Sequence, residues 1–271
     1  MKISSVKTSK CEVRYAKCCS GSESLIMLPG VSVTSVLNSA AAVEAAYESF
    51  NDIYTIYLFE YPREYPEGAE IRYIADSLAE AIRLLGLKDC YLFGASFGGM
   101  VSQVLLGEYP ELFVSAVLSS TIARKSDTSP ETIRRWHMIA SSSDVRSLNL
   151  AFYDAVYSDE YQVKFAEPIR KTLDNGNEDD CRVMSTHTGM ILRADLREND
   201  KKIKAPVLVI SSKQDHVFSV EDLSEPARLS GGRLFLYEGY GHAVFDEAPD
   251  FKEKILEHFA QTSEERTQSR T

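Results

Sequence analysis

Three residues of this chain could together perform acyl transfer: Ser96, Asp215 and His242. Ser96 sits in Gly94-Ala95-Ser96-Phe97-Gly98-Gly99, between an apolar run (residues 87–93) that suits a covered strand and a stretch (100–109) with apolar residues at helical spacing. A strand that turns straight into a helix brings two backbones close together. Only small residues fit beside the turn, and Gly94, Ala95, Gly98 and Gly99 meet that need while the serine hydroxyl is held up at the carboxyl end of the sheet. A serine hydroxyl is a weak nucleophile near neutrality, so it needs a base within hydrogen-bond reach and an acid to orient that base. Asp215 follows the apolar strand at residues 206–210, and His242 follows the strand at 233–237, in the loop Glu238-Gly239-Tyr240-Gly241-His242-Ala243. Each of the three therefore ends a different strand, in the chain order Ser, Asp, His. His216 is the rival base, and Glu221, Asp222, Glu238 and Asp246 are rival acids near the same loops.

The elements that must position these residues alternate along the chain. Strand patterns at 11–17 and 25–28 precede a helical pattern at 39–50 and a strand at 53–59; an amphipathic helix at 71–85 ends at Gly86, before the Ser96 strand and helix. A further strand at 114–118 follows. This alternation predicts an α/β protein with a mainly parallel sheet and helices on both faces. Between 123 and 204 the strand signal stops. Helical patterns at 130–140, 145–157, 161–173 (with a kink expected at Pro168) and 180–193 form an insertion after the strand ending at Leu118. Residues 262–271 are polar and are expected to fray.

The chain resembles the α/β-hydrolase superfamily over about residues 25–260, on the strength of the elbow at Ser96 and the order Ser96, Asp215, His242. The resemblance implies the α/β-hydrolase fold, with a core from 1–122 and 205–271 and a helical cap from 123–204. It also implies a serine hydrolase in which Ser96 is the nucleophile, His242 the general base and acid, and Asp215 the orienting carboxylate. The oxyanion hole would be made by the N–H groups of Val31 and Phe97. Here the chain departs from the His-Gly that members often carry, having Leu28-Pro29-Gly30-Val31 instead. Within the superfamily the chain is similar to maspardin-like proteins in three short motifs: the Pro29 segment, Tyr61-Pro62, and the Gly-Ala-Ser-x-Gly-Gly elbow. For that group non-catalytic binding has been proposed, so a binding or scaffold protein is the alternative to the hydrolase, and a lyase or cofactor-free oxygenase on the same fold is a third reading.

The expected partner is a small-molecule ester, amide or thioester, with Trp136, Met184 and Phe218 as substrate-contacting candidates; Phe152, Tyr153, Tyr157 and Met190 also lie on the predicted cap helices. Composition narrows the other classes. In 271 residues, 44% are hydrophobic and 26% charged, as in a folded globular protein, and a net charge of −10 opposes a nucleic-acid partner. No run approaches the ~20 apolar residues of a membrane-spanning helix, and residues 1–7 lack the apolar centre of a signal peptide, so the reading is cytoplasmic. Five scattered cysteines (Cys11, Cys18, Cys19, Cys90, Cys181) offer neither a disulfide framework nor metal-ligand spacing, and no motif asks for a cofactor. Oligomeric state is not legible in the sequence.

Overall fold

The strands that lead to Ser96 and Asp215 are buried along their whole length, which only a sheet covered on both faces allows. In the computed structural model, which describes residues 2–268, they belong to one eight-stranded sheet of order β1-β2-β4-β3-β5-β6-β7-β8. The strands are β1 (Lys2–Lys7), β2 (Glu12–Cys18), β3 (Glu23–Leu28), β4 (Tyr54–Phe59), β5 (Cys90–Ala95), β6 (Phe113–Ser119), β7 (Val207–Ser212) and β8 (Arg233–Tyr237). β2 runs antiparallel to both β1 and β4, and every pairing from β4 through β8 is parallel. The expected α/β-hydrolase fold with a mainly parallel sheet is the fold observed.

Side chains alternate between two cores. Leu92, Ala116, Leu118 and Val209 face the helices α2 (Ile71–Leu84), α3 (Phe97–Glu108) and α10 (Val220–Ser230). Tyr91, Phe93, Val117 and Ile210 face the other layer, built from α1 (Ala40–Ala46), α11 (Val244–Glu247) and α12 (Phe251–Gln268), where Phe251, Ile255 and Phe259 pack. Between β6 and β7 the chain forms α4 (Thr132–Ser141), α5 (Val145–Val156), α6 (Asp159–Lys164), α7 (Ala166–Thr172), α8 (Glu178–Arg193) and α9 (Arg197–Asp200). Of these, α4 and α5 stand over Ser96 at the carboxyl end of β5, while α9 packs against α3, its Asn199 amide donating to the Gln103 carbonyl. The Ala243 N–H donates to the Val156 carbonyl at 2.9 Å, so the end of α5 is fastened to the loop carrying His242.

Several local expectations are corrected. The kink expected at Pro168 is instead a break at Phe165, which separates α6 from α7; Pro168 occupies the first turn of α7, where its missing N–H had no helical acceptor to lose. The helix expected over 39–50 is a short α1 flanked by 3-10 turns at Val36–Ser39 and Glu48–Phe50. The tail does not fray at 262: α12 continues to Gln268, because Thr262 is buried and its hydroxyl donates to the His258 carbonyl. Residues 269–271 of that expectation lie outside the described residues. β1 and α10 have weak sequence signals, the first being a half-polar edge strand and the second carrying Pro226. No described helix is long and apolar enough to cross a membrane.

Candidate active site

The turn at Ser96 is held in a conformation that few side chains adopt. Ser96 has φ 51° and ψ −116°, between the end of β5 and the first residue of α3. Such a backbone persists only where its surroundings fix it. The Ser96 N–H donates to the Ser119 carbonyl at 2.7 Å, and its own carbonyl accepts from the Thr121 hydroxyl at 2.8 Å and the Met100 N–H at 3.2 Å. A Cβ on Gly98 would collide with the Leu28 and Pro29 carbonyls, and one on Gly94 with Ser102 and the Gly98 carbonyl. The close approach expected from those two glycines is real.

His242 and Asp215 complete a row of hydrogen bonds with Ser96. Asp215 Oδ2 lies 2.7 Å from His242 Nδ1, and His242 Nε2 lies 2.9 Å from Ser96 Oγ. An ionised carboxylate can only accept, so Nδ1 carries the proton and Nε2 is left to accept from the serine O–H. Asp215 is fixed from its other oxygen, which accepts from the Val217 and Phe218 N–H groups at 2.7 and 2.9 Å. Its loop is tied to the histidine loop by the Gly239 N–H, which donates to Gln214 Oε1 at 2.8 Å. Ser96, His242 and Asp215 are respectively 5%, 3% and 8% exposed, so the row is screened from bulk water.

The rival residues are engaged elsewhere. His216 is exposed and meets Thr132 through its carbonyl. Asp222 accepts from the Ser126 and Ser129 hydroxyls, Glu238 pairs with Lys213, and Asp246 accepts from the Tyr157 hydroxyl at 3.2 Å. Glu221 is exposed on α10.

The two candidate oxyanion donors flank Ser96. Phe97 is the first residue of α3, so its N–H has no acceptor within the helix. Val31 lies in the segment after β3, and among the described residues its N–H finds no backbone acceptor. That segment runs directly over the serine: a Cβ on Gly30 would stand 3.2 Å from Ser96 Cβ and 3.8 Å from Ser96 Oγ. The brace that Pro29 cannot supply comes from Tyr61, just beyond β4. Its hydroxyl donates to the Pro29 carbonyl at 2.7 Å, and its ring meets that of Phe97 edge-on, with centroids 5.4 Å apart. His187 of α8 stacks on Phe97 at 5.0 Å and meets the Tyr61 ring edge-on at 5.6 Å, and burial lowers its pKa to about 3, so it is a neutral wall. The sequence shows Tyr61 as part of a motif, but nothing in it tells where the phenol points.

Above Ser96 and His242 opens a cavity of about 280 Å³ whose walls come from the segment 29–36, from α4 and α5, and from the turn after His242. Of the substrate-contacting candidates, Trp136 lines it, and so do Phe152, Tyr153 and Tyr157. Met184 and Met190 do not: Met184 is fully buried among the helices and Met190 nearly so. Phe218 is also outside the cavity, packed edge-on against the His242 ring at 5.5 Å. Asn149, Phe245 and Asp246 belong to the lining without any distinctive sequence signal. Among the described residues no group of three His, Cys, Asp or Glu is arranged to hold a metal ion.

Strand order, a strained serine between β5 and α3, and a buried acid and histidine at the ends of β7 and β8 define the α/β-hydrolase class. Residues 58–249 match the α/β-hydrolase fold family, and the chain belongs to it. Over 203 residues it is 25% identical to the RutD protein of Pseudomonas savastanoi pv. phaseolicola, whose name points to carbamate hydrolysis; the match covers 72% of this chain and 77% of that one. It is 23% identical over 217 residues, 76% of this chain and 85% of the relative, to the pimeloyl-(acyl-carrier protein) methyl ester esterase of Aeromonas hydrophila subsp. hydrophila. The structure of MGS-M2, an α/β hydrolase enzyme from a Medee basin deep-sea metagenome library, superposes with a TM-score of 0.84 over 95% of this chain and 97% of its own, at 18% identity, and so speaks for the fold alone.

Proposed function

We propose that this protein is a serine hydrolase that cleaves a carboxylic ester of a small molecule through an acyl-enzyme, with amides, thioesters and carbamates as chemically neighbouring substrates. The observation that carries this reading is the unbroken row from Ser96 Oγ to His242 Nε2 and from His242 Nδ1 to Asp215, opening on a cavity. The names of the two sequence relatives are in keeping with ester or carbamate cleavage. Ser96 Oγ attacks the carbonyl carbon while His242 Nε2 takes its proton, and Asp215 steadies the imidazolium that results. The negative charge that develops on the carbonyl oxygen is taken up by the Val31 and Phe97 N–H groups. As the tetrahedral intermediate collapses, the proton passes from His242 to the departing oxygen. Water then repeats the sequence on the acyl-serine and frees the acid. Residues 123–204 act as the cap that shapes the substrate site, and we take the enzyme to work in the cytoplasm.

The alternative is a binding protein of the maspardin-like kind, supported by the Pro29 segment, Tyr61-Pro62 and the elbow. One experiment separates the two. A fluorophosphonate, whose adduct on serine imitates the tetrahedral intermediate, should label the protein once, at Ser96. Ser96→Ala and His242→Ala should each abolish labelling with thermal unfolding close to that of the parent. A folded parent that stays unlabelled at neutral pH after long exposure would replace the hydrolase by the binding protein.

A further inference from the structure

The cavity over Ser96 has an acidic wall. Asp246 is the carboxylate of its lining, and among the described residues no lysine or arginine lines it. Asp246 stands four residues after His242, on α11, and stays exposed to the cavity. The described protein gives its carboxylate a single side-chain hydrogen bond, the 3.2 Å contact from the Tyr157 hydroxyl, and no ion pair. Surrounding protein thins the water around it, which raises its pKa above the ordinary carboxylate range, while the positive charge of Lys252 acts in the opposite direction. Lys252 is committed elsewhere: it donates to the Phe245 carbonyl at 2.6 Å and lies over the Tyr47 ring. Glu247, the neighbouring acid, is occupied by the Ser158 and Gly241 N–H groups at 3.1 Å. Tyr47 and Tyr161 approach Asp246 as neutral phenols.

The rest of the wall leans the same way. The Asn149 amide nitrogen spends both its protons, donating to the Leu173 and Asn175 carbonyls at 3.0 and 2.9 Å. What Asn149 has left to offer is an acceptor oxygen. Trp136, Phe152 and Phe245 supply aromatic surface. An aromatic cavity with one under-used carboxylate and, among the described residues, no lysine or arginine in its lining is complementary to a ligand that brings the cation itself. A net charge of −10 would favour the approach of such a ligand and oppose an anionic one.

We propose that the substrate is a cationic ester, one whose ammonium group seats against Asp246 and the aromatic wall while its carbonyl meets Ser96. The proposal rests on the serine-hydrolase reading for its chemistry and on the cavity for its selectivity, so the two are tested separately. In the first arm, the p-nitrophenyl ester of 4-(trimethylammonio)butanoate is compared with that of 5,5-dimethylhexanoate, its uncharged isostere, and with the mono-ester of adipate. The parent should prefer the cation to the isostere by at least about tenfold in kcat/KM and should disfavour the anion, the scale expected of one partly desolvated charge contact. In Asp246→Asn the cation-to-isostere ratio should fall toward about one, with active sites counted by fluorophosphonate labelling. In the second arm, choline and 3,3-dimethylbutan-1-ol are titrated calorimetrically into the parent and into Asp246→Asn. This arm decides the matter even if no ester is turned over and no labelling occurs, in which case the hydrolase reading alone has failed. Choline binding that is tighter than the alcohol's in the parent, and not in the variant, supports the cation site. Equal preference in the parent, or a preference that survives in Asp246→Asn, overturns it.

Discussion

The Tyr61 hydroxyl donates a 2.7 Å hydrogen bond to the Pro29 carbonyl, so a side chain two residues past β4 fixes the segment that carries Gly30 and Val31 over Ser96. The same ring packs edge-on against Phe97, which places one side chain beside both candidate oxyanion donors. Tyr61 is 7% exposed, and burial raises its pKa far above that of a free phenol, so the proton stays on the oxygen.

Tyr61→Phe keeps the ring and removes only this hydrogen bond. A net contribution of about 1 kcal/mol corresponds to roughly a fivefold to tenfold fall in kcat on an activated ester, with KM little changed, if the bond serves to hold the donors in place. The rate of fluorophosphonate labelling should fall in parallel. Full kcat with a lowered Tm would show instead that the phenol only stabilises the fold.

Asp215→Asn leaves the size of the side chain unchanged but offers His242 Nδ1 a donor or a neutral acceptor in place of a carboxylate. The imidazole tautomer that can accept from Ser96 is no longer favoured, and kcat should drop by up to ~10⁴, as in the equivalent change of a serine protease. Circular dichroism should be that of the parent. Near-normal turnover would assign the role to another acid.

Trp136 and Met184 are both buried, but only Trp136 borders the cavity. Trp136→Ala widens the cavity wall and should shift preference among acyl chain lengths of p-nitrophenyl esters. Met184→Ala should instead lower stability by ~2–5 kcal/mol in urea unfolding, the cost of emptying a fully buried site, and leave the chain-length profile in place. Equal profiles for the parent and Trp136→Ala would remove Trp136 from the substrate site.

Three buried groups make stability depend on pH, with opposite signs. Burial lowers the pKa of His187 to about 3; burial, with Arg233 donating to its Nδ1, lowers that of His258 to about 4. An unfolded histidine takes up its proton near ~6.5, so below that pH the unfolded state binds protons that the native state refuses. Stability should therefore fall on acidification from about 6.5, by up to ~1.4 kcal/mol per pH unit for each histidine. Asp200 behaves in reverse. Among the described residues neither of its buried oxygens has a hydrogen-bond partner, and burial raises its pKa to about 8, so its contribution is full below the unfolded value of about 3.9 and is lost as pH rises through 8. Chemical denaturation from pH 4.5 to 8.5 checks both. His187→Gln and His258→Gln should flatten the acid side, and Asp200→Asn should gain most at the alkaline end. A variant whose profile parallels the parent's would clear that residue of the effect.

Local chain chemistry determined the alternation of strands and helices, the glycine-lined turn at Ser96, and the presence of Asp215 and His242 in loops after strands. Those signals are local because burial on both faces demands continuous apolar runs, and a tight strand-to-helix turn demands small residues. What lay beyond the sequence was decided by contacts between residues distant in the chain. The β1 strand exists because Lys2–Lys7 finds β2 as a partner, and the helix that was expected to fray at 262 persists because Thr262 reaches into the core beneath β6. Met184 and Trp136 sit on similar amphipathic helices and both end up buried, and only the packing of α4, α5 and α8 over the sheet left Trp136 bordering the cavity. The brace from Tyr61 to Pro29 spans 32 residues, and the row from Ser96 to His242 spans 146. Helical and strand periodicity carry information over a few residues, whereas the direction of a phenol, an imidazole or a carboxylate is set by the neighbours that the completed sheet brings to it.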